Sequence, residues 1–190
     1  MTERATALTP GARRILDAAS HLFYERGIQA VGVDAIAAAS GVTKRTLYDR
    51  FGSKEAVVTA YLERRDASWW ARWEQRLATA PSPRALTVFD AYREDADSSG
   101  RGCAFLNAAA ELPDGHPALP VIRTHKRRVR QRIEELVSED SPEGAASLAD
   151  HLFLLAEGAV AQQAVDGDTD RLLRARALAA GLIEVRASTR

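Results

Sequence analysis

Residues 33–51 read VDAIAAASGVTKRTLYDRF, two short helical segments broken at Gly41. A residue without a Cβ can take the left-handed backbone that a tight reversal between helices requires. Two residues on, Thr43 is placed to cap the second segment, its hydroxyl accepting from a backbone N–H that has no partner inside the helix. Val33, Ile36 and Ala37 of the first segment, with Val42, Leu47 and Phe51 around the second, fall at three- and four-residue spacing and form one apolar side. The pattern predicts a helix-turn-helix.

The apolar side needs a partner, and the chain before it supplies one. Thr9 and Pro10 open a helix, Pro10 standing where a missing N–H does no harm. That helix is expected to stop at Gly27 after Arg26. Its residues Ile15, Ala18, Ala19, Leu22 and Phe23 share one face. After the pair, Ser53 is expected to cap a long helix with Glu55 in its first turn, favourably placed against the macrodipole. Pro81 and Pro83 should end that helix near Ala80, and Ser82 should cap the next, which runs to the polar segment 95–100. Further helices are predicted at about 103–112, 117–138, 143–165 and 170–187. No stretch alternates apolar and polar residues as a half-buried strand would. The expected fold is all-α with about nine helices: an amino-terminal three-helix domain over 1–53, and a larger helical domain over 54–190 entered by the helix that starts at Lys54.

The 190 residues carry 26 Lys and Arg against 26 Asp and Glu. Any attraction to a polyanion must therefore come from how charge is distributed, because the net field is close to nil. The amino terminus lacks the apolar core of a targeting segment, and no stretch has the length of a membrane span, so the expectation is a cytoplasmic chain without membrane contact. Cys103 is the single cysteine, which leaves no disulfide within the chain and no thiolate zinc site. No cofactor or metal is expected.

Lys44, Arg45 and Thr46 occupy the first turn of the second helix of the pair, where residues of a recognition helix meet base edges. Tyr48 lies one turn beyond Lys44 on the same exposed face, and its hydroxyl can reach a phosphate or a base. Lys54, at the next helix start, suits a backbone phosphate. The run GVTKRTLYDRFGSKEAVV, preceded by FYERG and DAIAAAS, resembles the DNA-binding domain of the TetR family of bacterial transcription regulators over about residues 11–60. That resemblance implies a homodimer with its two recognition helices in successive major grooves of a palindromic operator. It implies Thr43, Lys44, Arg45, Thr46, Tyr48 and Lys54 as DNA contacts. The chain departs from the family where Val31 and Gly32 stand in place of hydroxyl residues before the first helix of the pair, removing possible phosphate contacts. It departs again at Arg45, where many relatives have Gly. A guanidinium there can bind guanine O6 and N7 together.

Past about residue 60 the pattern fades. Trp70, Trp73, Phe89, Tyr92, Cys103, Phe105, Asn107, Phe153 and Glu157 are the candidate lining of a small-molecule site, with His125 and Gln162 as further polar groups. Trp69, Trp70 and Trp73 cannot all face one side of a helix, so some must meet a cavity, an interface or solvent. The segment RGCAFLN, 101–107, is similar to a GCxxxN stretch of part of the TetR family. Cys103 is read either as a small buried apolar residue or as the reactive thiol of an electrophile- or oxidant-sensing regulator. The basic run Arg123–Arg132 is read as the solvated side of an amphipathic helix. Leu148, Leu152, Leu155, Val160, Leu172, Leu178 and Leu182 exceed what one packed face needs, and the resemblance implies a homodimer interface on these last two long helices. The functional expectation is a repressor released from double-stranded operator DNA by an unidentified effector. An all-helical enzyme is the rival from another class, without a nucleophile–base pair or phosphate loop to support it.

Overall fold

The computed structural model of the chain describes residues 8–97 and 101–188. Among these residues it is all helical: α1 (Pro10–Arg26), α2 (Val33–Ser40), α3 (Lys44–Phe51), α4 (Lys54–Leu77), a 3₁₀ turn (Arg84–Leu86), α5 (Thr87–Asp97), α6 (Ala104–Glu111), α7 (Leu119–Asp140), α8 (Ala145–Asp166) and α9 (Arg171–Ser188). Residues 98–100 of the expected polar break lie outside the described residues. No helix among the described residues is long and apolar enough to cross a membrane. The chain forms two compact units, one of residues up to Arg64 together with Ala108–Val121, the other of Arg65–Asn107 and Ile122 onward.

The first unit is organised by its caps. Thr9 accepts from Ala12 N–H, Thr43 from Thr46 N–H at 3.1 Å and Ser53 from Ala56 N–H at 3.1 Å, so α1, α3 and α4 start where hydroxyls can satisfy orphan donors. Gly41 adopts φ +65° and ψ 30° between α2 and α3, a conformation that costs glycine little and a β-branched residue much. Ile15, Leu16, Ala19, Leu22 and Phe23 of α1 are buried with Val31, Ile36, Ala37 and Leu47. Fully burying an Ile or Leu contributes about 1.5–3 kcal/mol. Phe51, Val33 and Val42 are only half-buried, at the margin of that core. Arg64 of α4 donates to Asp17 Oδ1, Ser20 Oγ and the Leu16 carbonyl, tying α4 to α1. Two bonds donated by Gln29 hold the end of α6: Gln29 N–H donates to Glu111 Oε2 and Gln29 Nε2 to the Glu111 carbonyl, both at 2.9 Å.

In the second unit α5, α8 and α9 pack together, with Leu148, Ala149, Leu152, Ala156 and Val160 of α8 and Leu172, Ala175 and Ala179 of α9 buried. Small residues at these positions let the helix axes approach. Two expectations need correction here. Helix α4 ends at Leu77 rather than near Ala80, and Ser82 does not cap α5. The 3₁₀ turn intervenes, its N-cap is Pro83 without a side-chain bond, and the Ser82 hydroxyl donates instead to Asp140. The hydroxyl is aimed across the unit at an ionised acceptor, a charge-assisted bond, instead of at a backbone N–H of the helix start.

Candidate nucleic-acid interface and ligand site

Helix α3 presents its polar side outward because Leu47, fully buried, anchors the other. Arg45 is the most open of the candidate contacts, its side chain 91% exposed. Thr43, Lys44 and Tyr48 are also exposed, and Thr46 and Lys54 are half-buried. The hydroxyls of Thr43 and Thr46 bond each other at 2.9 Å, so one of them spends its proton inside the pair and the other keeps its own for an acceptor. Gly32 caps α2 without a side-chain bond and Val31 is buried, which places the departure from hydroxyl residues at the mouth of this helix. Two carboxylates escaped the sequence reading of this surface. Asp34 of α2 pairs with Lys44 Nζ at 2.5 Å, and Asp49 of α3 stands 3.9 Å from Arg45 Nε.

In the second unit Trp73, Phe89, Tyr92 and Phe105 are buried as core. The three indoles form one cluster rather than parting company: Trp69 and Trp73 are buried, with ring centroids 5.1 Å apart. Trp70 is half-buried with the Arg128 guanidinium 4.4 Å over its ring, an arrangement that favours the cation. Cys103 is buried, and Gly102 before it takes φ +68°, where an added Cβ would come within 2.6 Å of Ala164. Asn107, half-buried, donates to the Arg101 carbonyl and so closes the loop that opens α6. Phe153 is half-buried, and Gln162 is exposed while its neighbour Gln163 is buried.

The structure also brings together a polar group that the sequence reading had only in part. Glu157 Oε1 accepts from the Tyr92 hydroxyl and from Lys126 Nζ at 2.7 Å. Lys126 also lies 3.4 Å from the Tyr92 oxygen and 3.5 Å from Cys103 Sγ. Burial, and next the Glu157 charge, push the Tyr92 phenol well above its ordinary range, so it remains a donor. The basic run of α7 is thus not simply solvated. Lys126 turns inward, Arg130 binds Asp150 and Glu134, and Arg132 binds Glu74.

Immediately before Lys126, buried His125 stacks on Phe105 with ring centroids 3.8 Å apart, and its Nδ1 meets Asp66 Oδ1 at 2.7 Å. Burial lowers the His125 pKa from its ordinary 6.5, and the Asp66 bond only partly opposes this. Neutral imidazole therefore donates through Nδ1–H. Burial would raise the Asp66 carboxyl, but the His125 bond and the nearby charges of His125 and Arg128 outweigh it and hold the carboxyl below its ordinary value of 3.8. Both depressed values have the same sign for stability. The unfolded chain takes up each proton first, so stability is full above the unfolded pKa and is lost on acidification. The thermal midpoint is expected to begin falling as pH drops below 6.5, through His125, and to fall again in the acid range of Asp66. A His125→Gln chain should show a flatter midpoint between neutrality and mild acid; an unchanged slope there would count against this assignment.

Among the described residues no group of three His, Cys, Asp or Glu side chains is placed to hold a metal ion. A family model described as bacterial regulatory proteins of the tetR family matches residues 15–61, which hold α2, α3 and most of α1 with the start of α4. A TetR-family transcriptional regulator from Streptomyces coelicolor superposes with a TM-score of 0.86 at 29% identity, covering 93% of this chain and 89% of that one. Residues 15–61 belong to the TetR family of bacterial regulatory proteins. The chain is also 27% identical over 180 residues to the HTH-type transcriptional repressor DhaR of a Mycobacterium species, strain GP1, covering 87% of this chain and 88% of DhaR. It is 45% identical over 64 residues to an HTH-type transcriptional regulator of Mycobacterium tuberculosis H37Rv, of whose length the match spans 31%.

Proposed function

We propose that this TetR-family chain is a homodimeric repressor that reads operator DNA with α3 and is released by a small molecule bound in the second unit. The observation that carries the reading is the α2–Gly41–α3 geometry: Thr43 caps α3 and Leu47 locks it from behind. Lys44, Arg45 and Tyr48 are thereby left open to solvent on a helix narrow enough for a major groove. Selection of bound sequences from a random DNA pool, followed by mobility shift against salt, tests it. A single palindromic preference with steep salt dependence is expected; a monomer without sequence preference would overturn it. Within that operator, Arg45→Ala should relax preference at one position at a loss of about 1–3 kcal/mol. A uniform loss across operator variants would make Arg45 a phosphate contact instead.

Dimerisation through α8 and α9 is supported by apolar side chains that stand largely exposed among the described residues. Leu154 is 66% exposed and Leu178 63%. Gly158 and Gly181 leave open space where a Cβ would be. Such apolar exposure, on helices already packed along their other faces, suits a second copy of the same surface. For the effector, the Tyr92–Lys126–Glu157 group supplies the few convergent polar atoms among apolar walls that small-molecule sites use, with half-buried Asn107 and Phe153 as further candidates. An effector acts by preferring one of two arrangements of the chain. Helices α4, α6 and α7, each contributing residues to both units, are the covalent route for that preference.

A further inference from the structure

Between Ile28 and Lys54 the chain carries four cations, Lys44, Arg45, Arg50 and Lys54, and two carboxylates, Asp34 and Asp49. Each carboxylate stands beside one of the two cations in the first turn of α3, Asp34 at 2.5 Å from Lys44 and Asp49 at 3.9 Å from Arg45. All four side chains are more than half exposed, and ion pairs that open to water contribute little to stability. Helix preference explains only one of the two acids. Asp34 sits in the first turn of α2, where an anion is favoured. Asp49 sits in the last turn of α3, where the macrodipole disfavours it. Asp49 gains only an exposed pairing with Arg45 to set against the macrodipole, and its place on the face of the proposed recognition helix calls for another account.

We infer that Asp34 and Asp49 are specificity determinants of DNA recognition, acting as the repulsive element that rejects wrong duplexes while holding Lys44 and Arg45 for the right one. This rests on the reading of α3 as a recognition helix. Binding to arbitrary DNA draws almost wholly on phosphate contacts, and each carboxylate subtracts from that attraction. In the major groove a carboxylate is tolerated only opposite a donor, the exocyclic amine of cytosine or adenine. Guanine O6 and N7, thymine O4 and the phosphates are all acceptors and repel it. A duplex that lets Lys44 or Arg45 leave its carboxylate for a base, with a donor facing the acid left behind, recovers what the exchange costs. Other sequences do not, and the difference between the two is specificity.

The test uses the full chain with Asp34→Asn and Asp49→Asn, separately and together. The probes are two duplexes of equal length, one the sequence that the parent chain selects from a random pool and one of random sequence. Each substitution is expected to tighten binding to the random duplex by about three- to tenfold at moderate salt and to steepen the slope of log K against log salt by about one. Affinity for the selected duplex should change less, so the ratio between them falls. Melting should stay at or above the parent value for Asp49→Asn, which separates this role from a structural one. An equal change on both duplexes, or no change on either, would overturn the inference while leaving the recognition-helix reading intact. A parent chain that selects no sequence at all would overturn both.

Discussion

Replacing Leu154 and Leu178 together by glutamate is expected to yield a folded monomer that has lost operator binding. Both side chains lie largely in solvent within the chain, at 66% and 63% exposure, so their loss removes little from the packed interior. Between two copies, the same change would place like charges in an apolar contact, where each unpaired ion is costly to desolvate. Two half-sites bound by one dimer gain from effective concentration, and separating the halves forfeits about 10²–10⁴ in affinity. Sedimentation velocity should report the single chain mass with helical circular dichroism unchanged, and mobility shift should report the loss. A doubly substituted chain that remains dimeric would move the interface elsewhere.

The largest expected effect on stability comes from Trp73→Ala. The indole is fully buried, touches the rings of Trp69 and Trp70, and donates through Nε1 to Thr87 Oγ1 at 2.9 Å. That hydroxyl in turn donates to the Arg84 carbonyl at 2.7 Å, which holds the 3₁₀ turn against the start of α5. Truncating a buried tryptophan costs about 3–5 kcal/mol in lost contacts and residual cavity, and Thr87 is left with an unfilled acceptor site. For a chain of this size the thermal midpoint should fall by roughly 6–20 °C. Trp73→Phe keeps most of the ring but not the donor, and should lose about 1–3 kcal/mol. Calorimetry on the three chains checks both figures; a loss below about 1 kcal/mol for the alanine chain would mean the site collapses around the gap.

What could be read from the chain alone divides by the range of the forces involved. Thr9, Gly41, Thr43 and Ser53 were legible because a cap or a left-handed turn acts within four residues of itself. Ser82 looked like another such cap and was not, since its partner Asp140 lies 58 residues on. The joining of residues 108–121 to the first unit has the same origin: Glu111 and Gln29 are 82 residues apart, and nothing near either announces the other. Lys126 escaped notice because a lysine on an amphipathic helix ordinarily snorkels to water; only the fold supplies Glu157 and Tyr92 as its partners. Gln162 was picked where Gln163 is buried, a one-residue slip that turns a side chain by about 100° around the helix. Asp34 and Asp49 were in plain view, but a carboxylate on a recognition surface gains meaning only once its distance to a cation is known.

All three tryptophans of the chain stand on α4 between residues 69 and 73, on the second unit's side of Arg64. The unit that carries α3 therefore has no indole fluorophore of its own. Emission excited at the red edge of protein absorbance reports on the second unit alone, and the crowding of the rings makes it sensitive to small rearrangements there. Adding DNA to the protein becomes an optical experiment with a built-in partition: a change in indole emission reports that the second unit responds to the duplex.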